Sequence, residues 1–133
     1  MDKLILSPTV FTPRVILDHE EHFIEISGES RPDDVRDFFG PIISWMNEYS
    51  ESIPRTGGDG RQLVSHFNFN YFNSASAKCI LDICKILARI RSNGTEVSVK
   101  WYYVRGDDDM METGREMEMI VNMPFELIEI ENQ

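Results

Sequence analysis

The sequence predicts a single α/β domain over residues 1–133, in which a mixed β-sheet starts with an N-terminal hairpin and carries about three packed helices. Two observations support this prediction. Short runs of alternating apolar and polar residues have the period of half-buried strands, and the longer segments between them space their apolar residues as helices do. The alternation of strands and helices then implies parallel pairing through right-handed crossover connections.

The N-terminal part is predicted to form the hairpin and the first helix. The candidate strands are residues 4–6, 14–17 and 23–26. We expect Gly28 to end the last strand and Ser30 to cap a helix that has Pro32 in its first turn. Helical spacing of apolar residues continues to Tyr49 across Pro41, which predicts a kink or two abutting helices.

Residues 53–60 form the only glycine-rich segment. A phosphate-binding loop would end in Lys followed by Ser or Thr and would lead into a helix, and this segment does neither. We therefore predict a flexible connection here, including the glycines of residues 57–60.

The most informative stretch joins a strand to the most apolar helix. The predicted buried face of the strand consists of Leu63, Phe67, Phe69 and Tyr71. Asn73 or Ser74 is expected to cap the following helix, because both side chains carry an oxygen that can accept a hydrogen bond from its free N–H groups. We expect the helix to end at Asn93 and Gly94.

A polar stripe runs along this helix at spacings of three and four residues, opposite an apolar face. The stripe consists of Lys78, Asp82, Lys85, Arg89 and Ser92. Its flanks are apolar, at Leu81, Ile86 and Ala88. A neighbouring helix must cover these flanks, or they are offered to a partner.

The C-terminal part predicts a strand, a helix and a final strand. Residues 97–103 alternate as a strand, and Asp107, Asp108 and Asp109 open a methionine-rich helix that Pro124 closes. Residues 125–130 form the last strand. The methionines are assigned mainly to the core, with an adaptable binding surface as the alternative.

Composition excludes several classes of partner. The net charge is −10 and the isoelectric point is near 4.6, so the chain repels nucleic acid and anionic membranes. No apolar run is long enough for a signal peptide or a membrane span. Cys79 and Cys84 stand about 8.6 Å apart on one helix, too far for a disulfide, and free thiols suit the cytoplasm.

Candidate catalytic and metal sites are weak. His19 and His22 could bind a metal, but no third ligand is visible, and acids at a helix start need no ion. Ser74 lacks the Gly-x-Ser-x-Gly context of a nucleophile. We predict no catalytic residue, no metal, no cofactor and no enzymatic activity.

Four separated stretches, together with the helix around residues 41–45, resemble the bacterial SiaC family of regulatory phosphoproteins. The stretches are YFNSASAK at 71–78, VKWYY at 99–103, DDDM at 107–110 and PFELI at 124–128. That family is similar to the STAS domains of anti-anti-sigma factors, which carry a phosphorylated Ser or Thr where a strand meets a helix. By position the acceptor here is Ser74, where the family usually has Thr, and Ser76 is the alternative.

The resemblance implies a switch without catalysis. A cognate Ser/Thr kinase adds the phosphate, a phosphatase removes it, and the unphosphorylated form binds an effector, in SiaC-type systems a diguanylate cyclase of cyclic-di-GMP and biofilm signalling. The predicted partner surface consists of Asn73, Ser74, Lys78, Leu81, Asp82 and Lys85.

Two other functions remain open at this point. Ser74 can be a plain helix cap in a small-molecule-binding domain that uses His66, Asn68 and Asn70 on one strand face, or in another protein-interaction domain. A deep polar pocket converging on Asn68 and Asn70 would favour the first of these.

Overall fold

A computed structural model describes residues 1–54 and 60–132 and contains one sheet and three helices. The strands are β1 (Leu4–Leu6), β2 (Arg14–Asp18), β3 (Phe23–Ser30), β4 (Leu63–Phe72), β5 (Val97–Val104) and β6 (Phe125–Ile130). The helices are α1 (Val35–Ser52), α2 (Ser74–Ser92) and α3 (Asp108–Val121). Most of the predicted glycine-rich connection, residues 55–59, lies outside the described residues.

The sheet is mixed, as predicted, and its strands follow one another in chain order from β1 to β6. β1, β2 and β3 are antiparallel neighbours, whereas β3 to β6 pair in parallel. Each parallel connection contains one helix, and α2 packs against both α1 and α3. The helices and one face of the sheet share a single apolar core. Because β3, β4 and β5 are parallel neighbours, their carboxyl ends lie at the same edge of the sheet.

Trp101 of β5 lies at the centre of the part of the core under α3. Its side chain is fully buried, and its indole N–H donates to the carbonyl of Met110, 3.0 Å away. The helix approaches so closely because Gly114 has no side chain: a Cβ there would lie 2.5 Å from the indole ring. Three of the predicted core methionines are buried, at positions 110, 117 and 123.

The start of α1 differs from the prediction. β3 continues through Gly28 to Ser30, so Ser30 ends a strand and does not cap a helix. The N-cap is Asp34, whose carboxylate accepts from the N–H groups of Arg36 and Asp37. Sequence alone misplaced the start because Ser30 and Pro32 also fit a helix start, whereas pairing of β3 with β4 favours extension of the strand.

α1 is one continuous helix with Pro41 inside it, so the alternative of two abutting helices is wrong. Pro41 is exposed and removes one backbone hydrogen bond. The buried face of α1 spans the proline on both sides, with Phe39 before it and Ile42 after it. Packing of this face stabilises the helix despite the missing bond.

The register of β4 also corrects the prediction. Gly28 pairs with Phe69 and Glu29 with Tyr71, so Asn70 is an extra residue that forms a β-bulge. A bulge changes which face the following side chains occupy. Tyr71, predicted to be buried, is 48% exposed, and Phe72 packs edge-to-face on Phe69 in its place.

Ser65 gives a stability prediction. It is fully buried on the core face of β4, and its hydroxyl has no hydrogen-bond partner in the part of the chain that the structure describes. Ser65→Ala should stabilise the fold by about 1 kcal/mol, because an unpaired buried hydroxyl is unfavourable. Urea unfolding measures this, with the paired and equally buried Ser76→Ala as the matched control. Ser76→Ala should destabilise by a similar amount, and equal effects would contradict the explanation.

Candidate functional site

The site lies where β4 passes into α2, at the edge where the parallel strands end. Asn73 is the N-cap: its side-chain oxygen accepts from the N–H of Ser76 at 2.9 Å, and its carbonyl accepts from Ala77. Both candidates for the cap were adjacent, and the structure assigns the role to Asn73. Ser74 is therefore the first helical residue and not a plain cap.

Ser76 is tied to the end of β3. Its hydroxyl donates to the carbonyl of Ser30 and accepts from the Ser30 hydroxyl at 2.9 Å, and both side chains are fully buried. The same Ser30 carbonyl accepts from the N–H of Asn73 at 3.1 Å. These bonds fix the turn that carries Ser74. The role of Ser30 was missed in the sequence because its partner is 46 residues away.

Ser74 itself is exposed, and so is Ala75. Their N–H groups precede the first hydrogen bond of the helix, so α2 supplies no acceptor for them. Among the described residues, the Ser74 hydroxyl has no hydrogen-bond partner. Ser74 thus offers a free hydroxyl at the positive end of a helix dipole, whereas the alternative acceptor Ser76 has its hydroxyl buried and bonded.

The rest of the predicted partner surface follows along α2. Lys78 and Lys85 are exposed, and Asp82 and Leu81 are half-buried. The apolar flanks are partly covered by neighbouring elements: Ile86 is buried, Leu81 and Ala88 pack against the core, and Arg89 donates to Asn47 of α1. Leu81 remains the apolar residue of this surface nearest to Ser74.

A second exposed group lies at the same edge, at the ends of β3 and of the β1–β2 loop. The Arg31 N–H donates to the carbonyl of Phe11, and its guanidinium lies 4.5 Å over the Phe11 ring. Arg31 also forms an ion pair with Glu29, which pairs with Tyr71 across the sheet. The local sequence pattern does not reveal this group, because Phe11 and Arg31 are 20 residues apart in the chain and meet only in the folded sheet.

Two of the three polar residues of the alternative ligand site, Asn68 and Asn70, lie together, whereas His66 is separate from them. His66 Nδ1 lies 2.8 Å from the Tyr102 hydroxyl, and its ring stacks on Tyr102. Burial lowers the pKa of His66, and Lys100 lowers it further. Asn68 and Asn70 line a separate cavity of about 370 Å³ that His66 does not reach.

The described residues contain no group of three or more His, Cys, Asp or Glu side chains suited to a metal. Asp107 caps α3, accepting from the N–H of Met110. Both cysteines are free, as predicted, and burial raises the pKa of Cys84 to about 12 and also raises that of Cys79. Both thiols are therefore protonated at neutral pH.

No helix in the described ranges could cross a membrane.

The family model of SiaC family regulatory phosphoproteins matches residues 6–130. The chain belongs to this family. The resemblance in the sequence is thereby confirmed. An uncharacterized protein of Pseudomonas aeruginosa strain UCBPP-PA14 is 27% identical over 126 residues, which are 94% of each chain.

Solved structures of SiaC from Pseudomonas aeruginosa have the same fold. The apo form superposes with a TM-score of 0.81 at 24% identity, over 96% of this chain and 99% of that one. A structure of the diguanylate cyclase SiaD in complex with its activator SiaC gives a TM-score of 0.84 at the same identity and coverage. At this level of identity the likeness establishes the fold.

Proposed function

We propose that this SiaC-family chain is a phosphorylation-controlled binding protein in which Ser74 accepts the phosphate. The observation that carries the proposal is the free, exposed hydroxyl of Ser74 at the first position of α2, between the capping Asn73 and the buried Ser76. A kinase can reach this hydroxyl without unfolding the turn, whereas it cannot reach Ser76.

A phosphate at Ser74 is compatible with the fold. It carries about −1.5 to −2 charges near the N–H groups that begin α2, where negative charge is favourable. The same charge would be unfavourable inside an apolar contact with a partner, because desolvation of an unpaired charge is costly. Modification should therefore abolish binding and preserve folding.

The effector that we propose for the unphosphorylated form is a diguanylate cyclase, since SiaC of Pseudomonas aeruginosa activates the cyclase SiaD. The chain would act in the cytoplasm by binding, with no catalysis of its own, and a Ser/Thr kinase and a phosphatase would set the phosphate level. The family consists of regulatory phosphoproteins, which supports a binding role controlled by phosphate.

The test has two parts. Chain isolated from its own cells is digested and analysed by mass spectrometry, and we expect phosphate on Ser74. Purified chain, with and without the phosphate, is then added to the diguanylate cyclase recovered with it, and cyclic-di-GMP formation is measured. Only the unmodified form should stimulate. Phosphate confined to other residues, or equal stimulation by both forms, would refute the proposal.

Leu81→Glu tests the extent of the partner surface. We expect it to abolish effector binding at a modest stability cost of about 1–2 kcal/mol, because Leu81 is only half-buried. Ala88→Glu is the matched control, since it adds the same charge to an equally half-buried flank two turns farther from Ser74. Titration and thermal melts of both variants are compared. If Leu81→Glu unfolds the chain, Leu81 belongs to the core and the interface lies elsewhere.

A further inference from the structure

We infer that the cleft between the ends of β4 and β5 binds an arginine side chain that a partner protein presents on an extended segment. The cleft consists of two cavities that share Asn70 in their walls, one of about 370 Å³ beside Asn68 and one of about 240 Å³ beside the start of α3. It is called the β4–β5 cleft below. The inference goes beyond the proposed function and does not depend on phosphorylation of Ser74.

The β4–β5 cleft exists because the sheet divides at its carboxyl edge. β4 pairs with β5 only from Leu63 to Phe67, although β4 continues to Phe72 and β5 continues to Val104. Beyond Phe67, β4 remains paired with β3, and β5 remains paired with β6. Strands in the middle of a sheet normally satisfy their backbone groups with both neighbours. The division therefore leaves a gap between two central strands.

The gap presents backbone groups that a peptide can bind. At the start of the β4–β5 pairing, the N–H of Leu63 donates to the carbonyl of Glu96. Because backbone groups alternate in direction along a strand, Phe69 also directs its N–H and carbonyl toward β5, at a level where the two strands no longer pair. Phe69 lines the larger cavity. An extended peptide in the gap meets the same donor and acceptor groups that pair strands elsewhere in the sheet.

Two asparagines of β4 face the cleft without a partner. Asn68 and Asn70 line the larger cavity, and among the described residues neither side-chain amide forms a hydrogen bond. Asparagine is unfavourable within strands, so the stability of the sheet does not explain two of them in a central strand. Each amide offers both a donor and an acceptor, which matches the carbonyl and N–H of a peptide group.

The smaller cavity contains the groups that recognise a guanidinium. The bulge in β4 turns Tyr71 outward, where the residue is 48% exposed. Tyr71 lines this cavity together with Asp107 and Asp109. In the part of the chain that the structure describes, neither carboxylate forms an ion pair, and no Lys or Arg lines either cavity. A guanidinium binds carboxylates and stacks on aromatic rings, whereas an anion would be repelled here.

The experiment titrates isotope-labelled full-length chain with the blocked tripeptide acetyl-Val-Arg-Val-amide and follows the backbone amides by NMR. Valine favours the extended conformation. The matched ligand carries citrulline in place of arginine, which keeps the shape of the side chain and removes its charge. The variants are Asn70→Ala and Asp109→Asn. The matched control is Asp108→Asn, because Asp108 lies at the same helix start but lines neither cavity.

We expect the arginine peptide to bind weakly, at roughly 1–10 mM, and to shift amides on both walls of the cleft. Asn70→Ala and Asp109→Asn should each weaken binding about threefold, because each removes one hydrogen-bonding group or one exposed ion pair. The citrulline peptide should lose a similar factor. Asp108→Asn should change binding less than about 1.5-fold at ~0.15 M salt. Spectra of the free variants check that each is folded.

The inference is overturned if the arginine peptide does not bind at millimolar concentrations, or if the shifted amides lie outside the cleft. Equal binding of the arginine and citrulline peptides would also overturn it, as would equal effects of Asp108→Asn and Asp109→Asn. None of these results concerns Ser74, whose phosphorylation is tested separately by mass spectrometry.

Discussion

Ser74→Asp is expected to weaken binding of the effector at least thirtyfold while leaving the fold intact. A single charge placed at a joint that the effector covers costs about 2–5 kcal/mol when it has no counter-charge there. The free chain should be unaffected, within about ±0.5 kcal/mol, because Asn73 and not Ser74 provides the cap and an acid at the first turn is favourable. Titration against the effector and thermal melts measure the two effects separately.

The matched variant is Ser74→Ala, which removes the hydroxyl without adding charge. It should bind as the unsubstituted chain does and resist the kinase. Equal affinities of the unsubstituted chain, Ser74→Ala and Ser74→Asp would show that the effector does not cover the joint. Phosphate found on Ser76 and never on Ser74 would contradict both the burial of Ser76 and the assignment.

Gly114→Ala is expected to destabilise the chain by about 2–3 kcal/mol, against the usual stabilisation by alanine in a helix. The new Cβ would lie 2.5 Å from Cδ1 and 2.6 Å from Nε1 of Trp101. The indole cannot move aside easily, since Phe67, Phe69, Phe72 and Phe125 surround it at ring distances of 6.0–6.2 Å. Overpacking of this kind costs more than the gain in helix propensity. Urea unfolding gives the magnitude.

Gly40→Ala serves as the control, because a Cβ at this exposed position in α1 meets no atom within 4 Å. Alanine has a higher helix propensity than glycine, whereas a side chain on the residue before Pro41 disfavours the helical backbone at that residue. The two effects oppose each other, so the free energy of unfolding should change by no more than about ±0.5 kcal/mol. If Gly40→Ala and Gly114→Ala lose similar amounts of stability, the loss comes from placing alanine in a helix and not from contact with Trp101.

The sequence by itself determined the succession of elements and the position of the candidate site. Alternation and helical spacing depend only on neighbouring residues, so β4, α2 and β5 were recognised from local pattern, as were the helix starts at residues 73–74 and 107–109. The four stretches at residues 71–78, 99–103, 107–110 and 124–128 indicated the family, and the family model confirmed it. What these features share is that each is encoded within a few residues.

Tertiary structure decided everything that depends on pairing between distant segments. Ser30 fits a helix cap locally, but hydrogen bonds to β4 and to Ser76 make it the end of a strand. The alternating pattern of β4 places Tyr71 on the buried face of the strand. The bulge at Asn70 turns Tyr71 to solvent instead, and this bulge is visible only in the register against β3. Local pattern specifies which face of an element is apolar, whereas long-range hydrogen bonds set the register and hence which side chains surround Ser74.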